Sequence, residues 1–395
     1  MTPAKPSLEL LRSLTDEHVL RALMDHPRLT RAEIATHTGL SKPTASESAR
    51  RLTEVGLLRD TGERTSGRGR IGSYYALAAD LGAALAVDIS PTAVVVEAVD
   101  VYGHTVRRAE QPLPRPTGPA HVADALRSGA RDAGRAHLAV VSAADPVDRG
   151  TGRLVHLPDA PFLVGELSPA DVLAPLVDGP VETDNDVNWA ARAEQAHAGP
   201  GALADFAFLH LGEGLGCALV SDGEVRRGHH GLSGEIAHLV TTGRDLRAMP
   251  FTQVFAELGL RRPGTTAIDD ERLLRALDSQ AAVREQLARA IAGAIAALIA
   301  LADPEVVVLG GSWGTHPALQ QAIRTHLARL PRSVALRPAA VHDQPALAGA
   351  RQRAVHQLRD SIITRSHGLR RIARHRVRPV HVAPEGDGQV TPWTR

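Results

Sequence analysis

Ser41, Lys42, Pro43, Thr44, Ser46, Glu47 and Arg50 lie within ten residues and mix short hydroxyls with cations. At the exposed front of a helix, such groups reach base edges and phosphate oxygens in a DNA major groove. The stretch that must present them runs from Leu29 to Leu77, LTRAEIATHTGLSKPTASESARRLTEVGLLRDTGERTSGRGRIGSYYAL. A helix is predicted over Asp16 to Asp25, with Val19, Leu20, Leu23 and Met24 at helical spacing. Thr30 caps a short second helix whose Ile34 faces inward, and Gly39 supplies the tight turn. Ser41 caps a third helix with Ala45, Ala49, Leu52 and Val55 on its inner face. Pro43 is tolerated because a first-turn backbone N–H has no helical partner to lose. Gly56 ends that helix, and Arg59 to Arg70 form a glycine-rich basic hairpin tip returning into a strand from Ser73 to Leu77. This is the pattern of a winged helix-turn-helix, and its implied partner is a double-stranded DNA operator. Lys42, Arg50, Arg68 and Arg70 supply phosphate attraction, and Arg68 or Arg70 at the wing tip can enter a minor groove. Ser41, Thr44 and Ser46 are placed for bases or phosphates, and sequence does not choose between them.

Charge limits where DNA is met. The net charge of +1 hides a basic stretch, residues 351–395, with ten arginines against three acidic residues. Residues 1–80 are mildly basic and the long middle is acidic, so nucleic-acid contact belongs to the ends. The single cysteine, Cys217, excludes an internal disulfide and any multi-cysteine metal site. Leu8 to Leu14 is too short and too charged for a secretory signal. Ala290 to Ala302 falls about ten angstroms short of a bilayer. The expectation is a cytoplasmic protein with no membrane partner.

Beyond the wing, strands and helices alternate. Strands are predicted over Gly82 to Ile89, Ala93 to Val101, Ala136 to Ser142, Pro180 to Thr183, Phe206 to Leu211, Gly216 to Val220 and Glu305 to Leu309. Helices are predicted over Pro119 to Ala133, from Val187, over Ala281 to Ala302 and over Pro317 to Leu330. This alternation predicts an α/β layered core of two lobes. The domains expected are residues 1–79, the winged helix-turn-helix; 80–358, the two-lobed effector and dimerisation domain; and 359–395, a basic, mostly disordered tail.

Four motifs in residues 80–358 resemble the ROK family, which contains bacterial sugar kinases and sugar-sensing repressors. They are AVDISPT at Ala86 to Thr92, ETDNDVNWAARAE at Glu182 to Glu194, LGEGLGCALVSDGEVRRGHHGLSGEIAH at Leu211 to His238, and VVVLGGS at Val306 to Ser312. The resemblance implies an actin-like, ribonuclease H-like sugar-kinase fold. With the N-terminal domain, it is similar to the family's repressor branch. It further implies that Asn185, Asp186, Glu235 and His238 contact sugar hydroxyls, Asp186 standing where the kinases hold their general base. A competing reading makes Asn185 and Asp186 caps of the helix from Val187. His229 and His230 are expected in a surface loop.

Two departures from the family decide the expected chemistry. The kinases' Asp-x-Gly-Gly-Thr phosphate hairpin reads Asp88-Ile89-Ser90-Pro91-Thr92 here, and proline removes a donor while serine adds bulk. ATP binding and kinase catalysis are therefore not expected, and no catalytic residue is assigned. The family's zinc loop after His238 is replaced by LVTTGRDLRAMPFTQVFAELG, without cysteine, so no structural zinc is expected. If Pro250 to Gln253 occupy the end of that loop, Gln253 replaces a sugar-binding glutamate. The resulting expectation is a dimeric or tetrameric regulator, acting as a repressor that answers to a sugar or sugar derivative. The rivals are an active sugar kinase with an added DNA-binding domain, and a regulator whose ligand site has decayed.

Overall fold

The structure, a computed structural model, describes residues 8–65, 72–115, 117–155, 157 and 166–376. The chain divides into two compact units, residues 1–81 with 359–395, and residues 82–358.

The first unit begins with α1 (Leu8–Asp25), β1 (Leu29–Thr30), α2 (Arg31–Thr38) and α3 (Lys42–Glu54). Thr30 and Glu33 close a reciprocal capping box on α2, which Gly39 ends in the left-handed conformation at φ 70°. The Ser41 hydroxyl accepts the Thr44 N–H, with Pro43 in the first turn of α3. β2 (Leu58–Arg64) and β3 (Ser73–Leu77) form the wing, and β1 joins them in an antiparallel sheet of order β1-β3-β2. Val19, Leu20, Leu23, Ile34, Ala45, Ala49 and Leu52 are fully buried between the helices. Val55 is only half-buried, and α1 starts eight residues earlier than its apolar spacing indicates. Inside this core Asp16 accepts a hydrogen bond from the Ser48 hydroxyl and pairs with Arg51 at 2.6 Å, tying α1 to α3.

The second unit has two lobes. The first carries β4 (Ala84–Ile89), β5 (Ala93–Val99), β6 (Thr105–Pro112), α4 (Pro119–Ala133), β7 (Leu138–Ala143), α5 (Pro169–Leu173), β8 (Val181–Asn185) and α6 (Asp186–Ala198). Its sheet has the order β6-β5-β4-β7-β8; β4, β5 and β6 are antiparallel, and β7 and β8 run parallel to β4. The second lobe carries β9 (Phe206–Leu211), β10 (Leu215–Ser221), β11 (Glu224–Val225), β12 (Val240–Thr242), β13 (Ala248–Pro250), α7 (Phe251–Glu257), α8 (Asp270–Ser279), α9 (Ala281–Ala302), β14 (Val306–Gly310), α10 (Pro317–Leu327) and β15 (Ala335–Pro338). Its order, β11-β10-β9-β14-β15, repeats the first lobe's plan strand for strand. Two copies of this five-stranded plan are the sugar-kinase-like, ribonuclease H-like architecture expected. α9 is long and apolar enough to cross a membrane, but Leu287, Ile291, Ile295 and Leu298 are buried in the second lobe's core.

The expectation for the C-terminal tail needs correction. α11 (Pro345–Arg376) is one helix whose last part belongs to the first unit. There Arg359 pairs with Asp25 at 3.1 Å and donates to the Met24 carbonyl at 2.9 Å, while Ile362, Ile363 and Ser366 are buried. Arg365 donates to the Leu81 carbonyl at 2.9 Å. Arg359 and Arg365 meet an acid and carbonyls far away in sequence, which composition cannot reveal. Residues 377–395 lie outside the described residues.

Candidate ligand cleft and DNA-binding face

Parallel strands put their C-terminal ends along one edge of each sheet, where open α/β sheets bind ligands. On the first lobe, register sets Asp88 opposite Ser142 and Ala143 opposite Asn185. Asp88, Asp145 and Asp186 therefore gather at that edge. On the second lobe, His210 at the end of β9 is the register partner of Gly310 on β14. A cleft of about 360 Å³ is lined by Asn185, Asp186, Glu235 and His238 together with His210, Glu213, Asp270 and Ser312.

Asn185 is the N-cap of α6, its carbonyl oxygen accepting the Val187 N–H at 3.0 Å. Its amide donates to the carbonyls of Asp145 (3.2 Å) and Ala143 (3.4 Å). The side chain is thus engaged by the fold, and it positions its neighbour. Asp186 also accepts the Val187 N–H, through Oδ1 at 2.8 Å, and lines the cleft. Capping and cleft lining coexist here. Burial, then the charges of Asp88, Glu235 and Asp145, push the Asp186 carboxyl up to about 8. Glu235 rises to about 7, through desolvation and the Asp145 charge. Asp88 is raised as well, by burial against a partly compensating hydrogen bond from Ser142.

The backbone holds Glu235 through Gly234. At φ 96° a Cβ there would lie 1.7 Å from the Cys217 carbonyl oxygen, so only glycine lets this loop cross β10. Burial lifts the Cys217 thiol to about 12, which makes it an inert core group.

Gln253 is exposed on α7 and does not line the cleft; its neighbour Thr252 does. Both residues lie in the first turn of α7 (Phe251–Glu257). The segment in place of the zinc loop is the β12–β13 hairpin, fixed to α9 by the Thr241 hydroxyl donating to the Ala290 carbonyl at 2.7 Å. His210 was not singled out by sequence. A lone histidine in an apolar strand carries no distinguishing signal, yet it lines the cleft with its ring pushed down to about 4 by burial.

The hairpin between β4 and β5 is closed by its own hydrogen bonds. Ser90 Oγ accepts the N–H groups of Ala93 (3.1 Å) and Thr92 (3.4 Å), and the Ser90 N–H bonds the Ala93 carbonyl at 3.0 Å. Pro91 has no N–H to offer. Among the described residues the cleft lining holds no lysine or arginine.

On α3, Ser41, Lys42, Pro43 and Arg50 are exposed, while Thr44 and Ser46 are half-exposed. Arg50 is held by its own helix, through Glu47 at 2.6 Å and Glu54. His229 and His230 sit exposed in a loop, rings 4.4 Å apart. Arg68 and Arg70 lie outside the described residues.

A duplicated kinase-like domain with a ligand cleft, carried beside a winged helix-turn-helix, defines the class. The ROK family profile matches residues 84–253 and 266–356, and a winged helix-turn-helix DNA-binding profile matches 12–59. This chain belongs to the ROK family. A glucokinase of Streptomyces coelicolor is 28% identical over 162 residues, 40% of this chain and 50% of the glucokinase. The chain thus spans about half the length of that relative. A putative xylose repressor of Caldicellulosiruptor sp. is 22% identical over 252 residues, 60% of this chain and 61% of the repressor. A solved ROK family transcriptional regulator, described as a homolog of the E. coli MLC protein, superposes with TM-score 0.60 at 18% identity. It covers 90% of this chain and 99% of its own.

Proposed function

We propose that this chain is a DNA-binding transcriptional regulator, acting as a repressor, controlled by an uncharged sugar in the cleft between its lobes. The observation carrying this reading is the Ser90 hairpin. The N–H groups of Ser90, Thr92 and Ala93 bond within the turn, while Asp186 still lines the cleft. Sugar binding without phosphoryl transfer matches that combination. Neither ATP nor structural zinc is part of the reading, since the residues at both places do not fit them. A cytoplasmic homodimer reading a palindromic operator completes it.

Control requires unequal sugar affinity for two conformations, and a coupling of roughly 1–3 kcal/mol would change operator affinity about 5- to 150-fold. The test is thermal stability against a panel of sugars, sugar phosphates and ATP, followed by operator binding with any hit. A ligand at 100 times its dissociation constant adds about 2.7 kcal/mol. A sugar shift that alters operator affinity supports the reading; no operator change with any bound sugar removes it. The kinase reading is favoured by one observation, the retained Asp186 in a ROK cleft similar to a glucokinase. ATP-dependent phosphorylation of a hexose by the purified chain would establish it instead.

A further inference from the structure

The two halves of the cleft differ in chemistry. One half gathers around Asp186 of the first lobe, with Glu235 and His238 reaching it from the second-lobe segment between β11 and β12. The second-lobe half holds His210, Glu213 in the turn after β9, and Asp270, which accepts a hydrogen bond from the Ser312 hydroxyl. Glu213 sits 3.5 Å from Arg115 and 3.4 Å from Arg262, neither of which lines the cleft. The His210 ring has no hydrogen-bond partner among the described residues.

In a kinase of this fold a nucleotide must enter beside the sugar. Here an anion would meet two carboxylates, no lining cation and a hairpin with its N–H groups already used. Sugar hydroxyls suit the same surface. They donate to the carboxylates of Glu213 and Asp270, and they exchange donor and acceptor roles with a neutral imidazole and a serine hydroxyl. Pro91, Leu215 and Ile268 add apolar surface for the C–H faces of a ring. The volume, about 360 Å³, lies within the range of small-molecule sites.

We propose that the second-lobe half is a second sugar subsite, so that the ligand is a disaccharide or longer glycoside. One ring lies at Asp186 and Glu235, and the next lies against His210, Asp270 and Ser312. This rests on the sugar-responsive reading above.

The experiment is calorimetric titration of the full chain with glucose, galactose and xylose, and with maltose, cellobiose, sucrose and trehalose. At least one disaccharide should bind about tenfold tighter than its own component sugars. His210→Ala should reduce that ratio about 3- to 10-fold, the worth of one hydrogen bond, and His210→Gln should recover part of it. Ser312→Ala serves as the second variant, with the thermal unfolding transition of each variant in sugar-free buffer reporting that it is folded. Monosaccharides binding as tightly as disaccharides, or a ratio untouched by both alanine variants, overturns the subsite alone. Silence from every sugar removes the sugar-responsive reading along with it.

Discussion

Ser90 and Ala93 bond each other three times across the turn between β4 and β5. The Ser90 N–H reaches the Ala93 carbonyl at 3.0 Å, the Ser90 hydroxyl donates to that carbonyl at 2.9 Å, and the Ala93 N–H returns to Ser90 Oγ at 3.1 Å. With the Thr92 N–H also bonded to Ser90 Oγ at 3.4 Å, the turn answers three of its own donors. Ser90→Ala should cost about 0.5–1.5 kcal/mol, measured by denaturant unfolding, because it strips acceptors from two amides. Wild-type protein should show no thermal shift with millimolar ATP and magnesium. A clear ATP shift in the wild type would mean the hairpin opens to bind phosphate.

The carboxyl groups of the cleft set a pH dependence. The Asp186 pKa is raised to about 8 in the folded chain, far above its unfolded value. The folded state therefore holds a proton that the unfolded state has lost, and stability falls as pH rises from about 4 to 8. Above pH 8 the folded chain carries the full cost of an ionised, desolvated Asp186. Asp186→Asn should remove that cost, raising Tm at pH 8.5 by about 2 °C or more while changing little at pH 4.5. A Tm difference independent of pH would contradict the proton argument. At pH 8.5, where Asp186 ionises, the same variant should also weaken sugar binding, since the amide no longer offers a carboxylate acceptor.

These groups were not equally legible in the sequence. The helix-turn-helix is readable because each boundary has a local cause: the Thr30 box, the left-handed Gly39, the Ser41 cap. Asp186, Glu235 and His238 are readable because they stand inside motifs of the family. Gln253 lies outside the cleft lining while its neighbour Thr252 lies in it, because consecutive helical residues point about 100° apart and a local motif does not fix that phase. The end of α11 is hidden for a different reason. Two apolar residues, Ile362 and Ile363, make too weak a periodic signal, and Arg359 finds its partner Asp25 over 300 residues away.

That hidden segment yields a stability prediction. Ile362 is fully buried within the DNA-binding unit. Ile362→Ala should destabilise that unit by about 2–5 kcal/mol, through lost transfer energy and the cavity left behind. Ending the chain after Leu358 would also remove Arg359 and its bonds to Asp25 and Met24. Both changes should weaken operator binding, while sugar binding to residues 82–358 persists. Full operator affinity in the truncated chain would show that the winged helix needs no C-terminal partner.

The DNA-facing surface of α3 carries its own opposition. Arg50, the last cation of the recognition helix's exposed front, is bonded to Glu47 at 2.6 Å and to Glu54. The guanidinium holds the Glu47 carboxyl below its ordinary range, so Glu47 stays charged at any pH at which DNA would be bound. Any phosphate approaching Arg50 must displace these carboxylates and face their charge. The paired Glu47→Gln, Glu54→Gln variant should therefore raise operator affinity severalfold. It should also steepen the dependence of log affinity on log salt by about one unit, as one more phosphate is neutralised. Arg50→Ala in that background should reverse both effects. Fluorescence anisotropy with a labelled operator across 50–200 mM salt measures them together. If affinity rises equally with and without Arg50, the gain comes from removing negative charge alone, and Arg50 makes no phosphate contact.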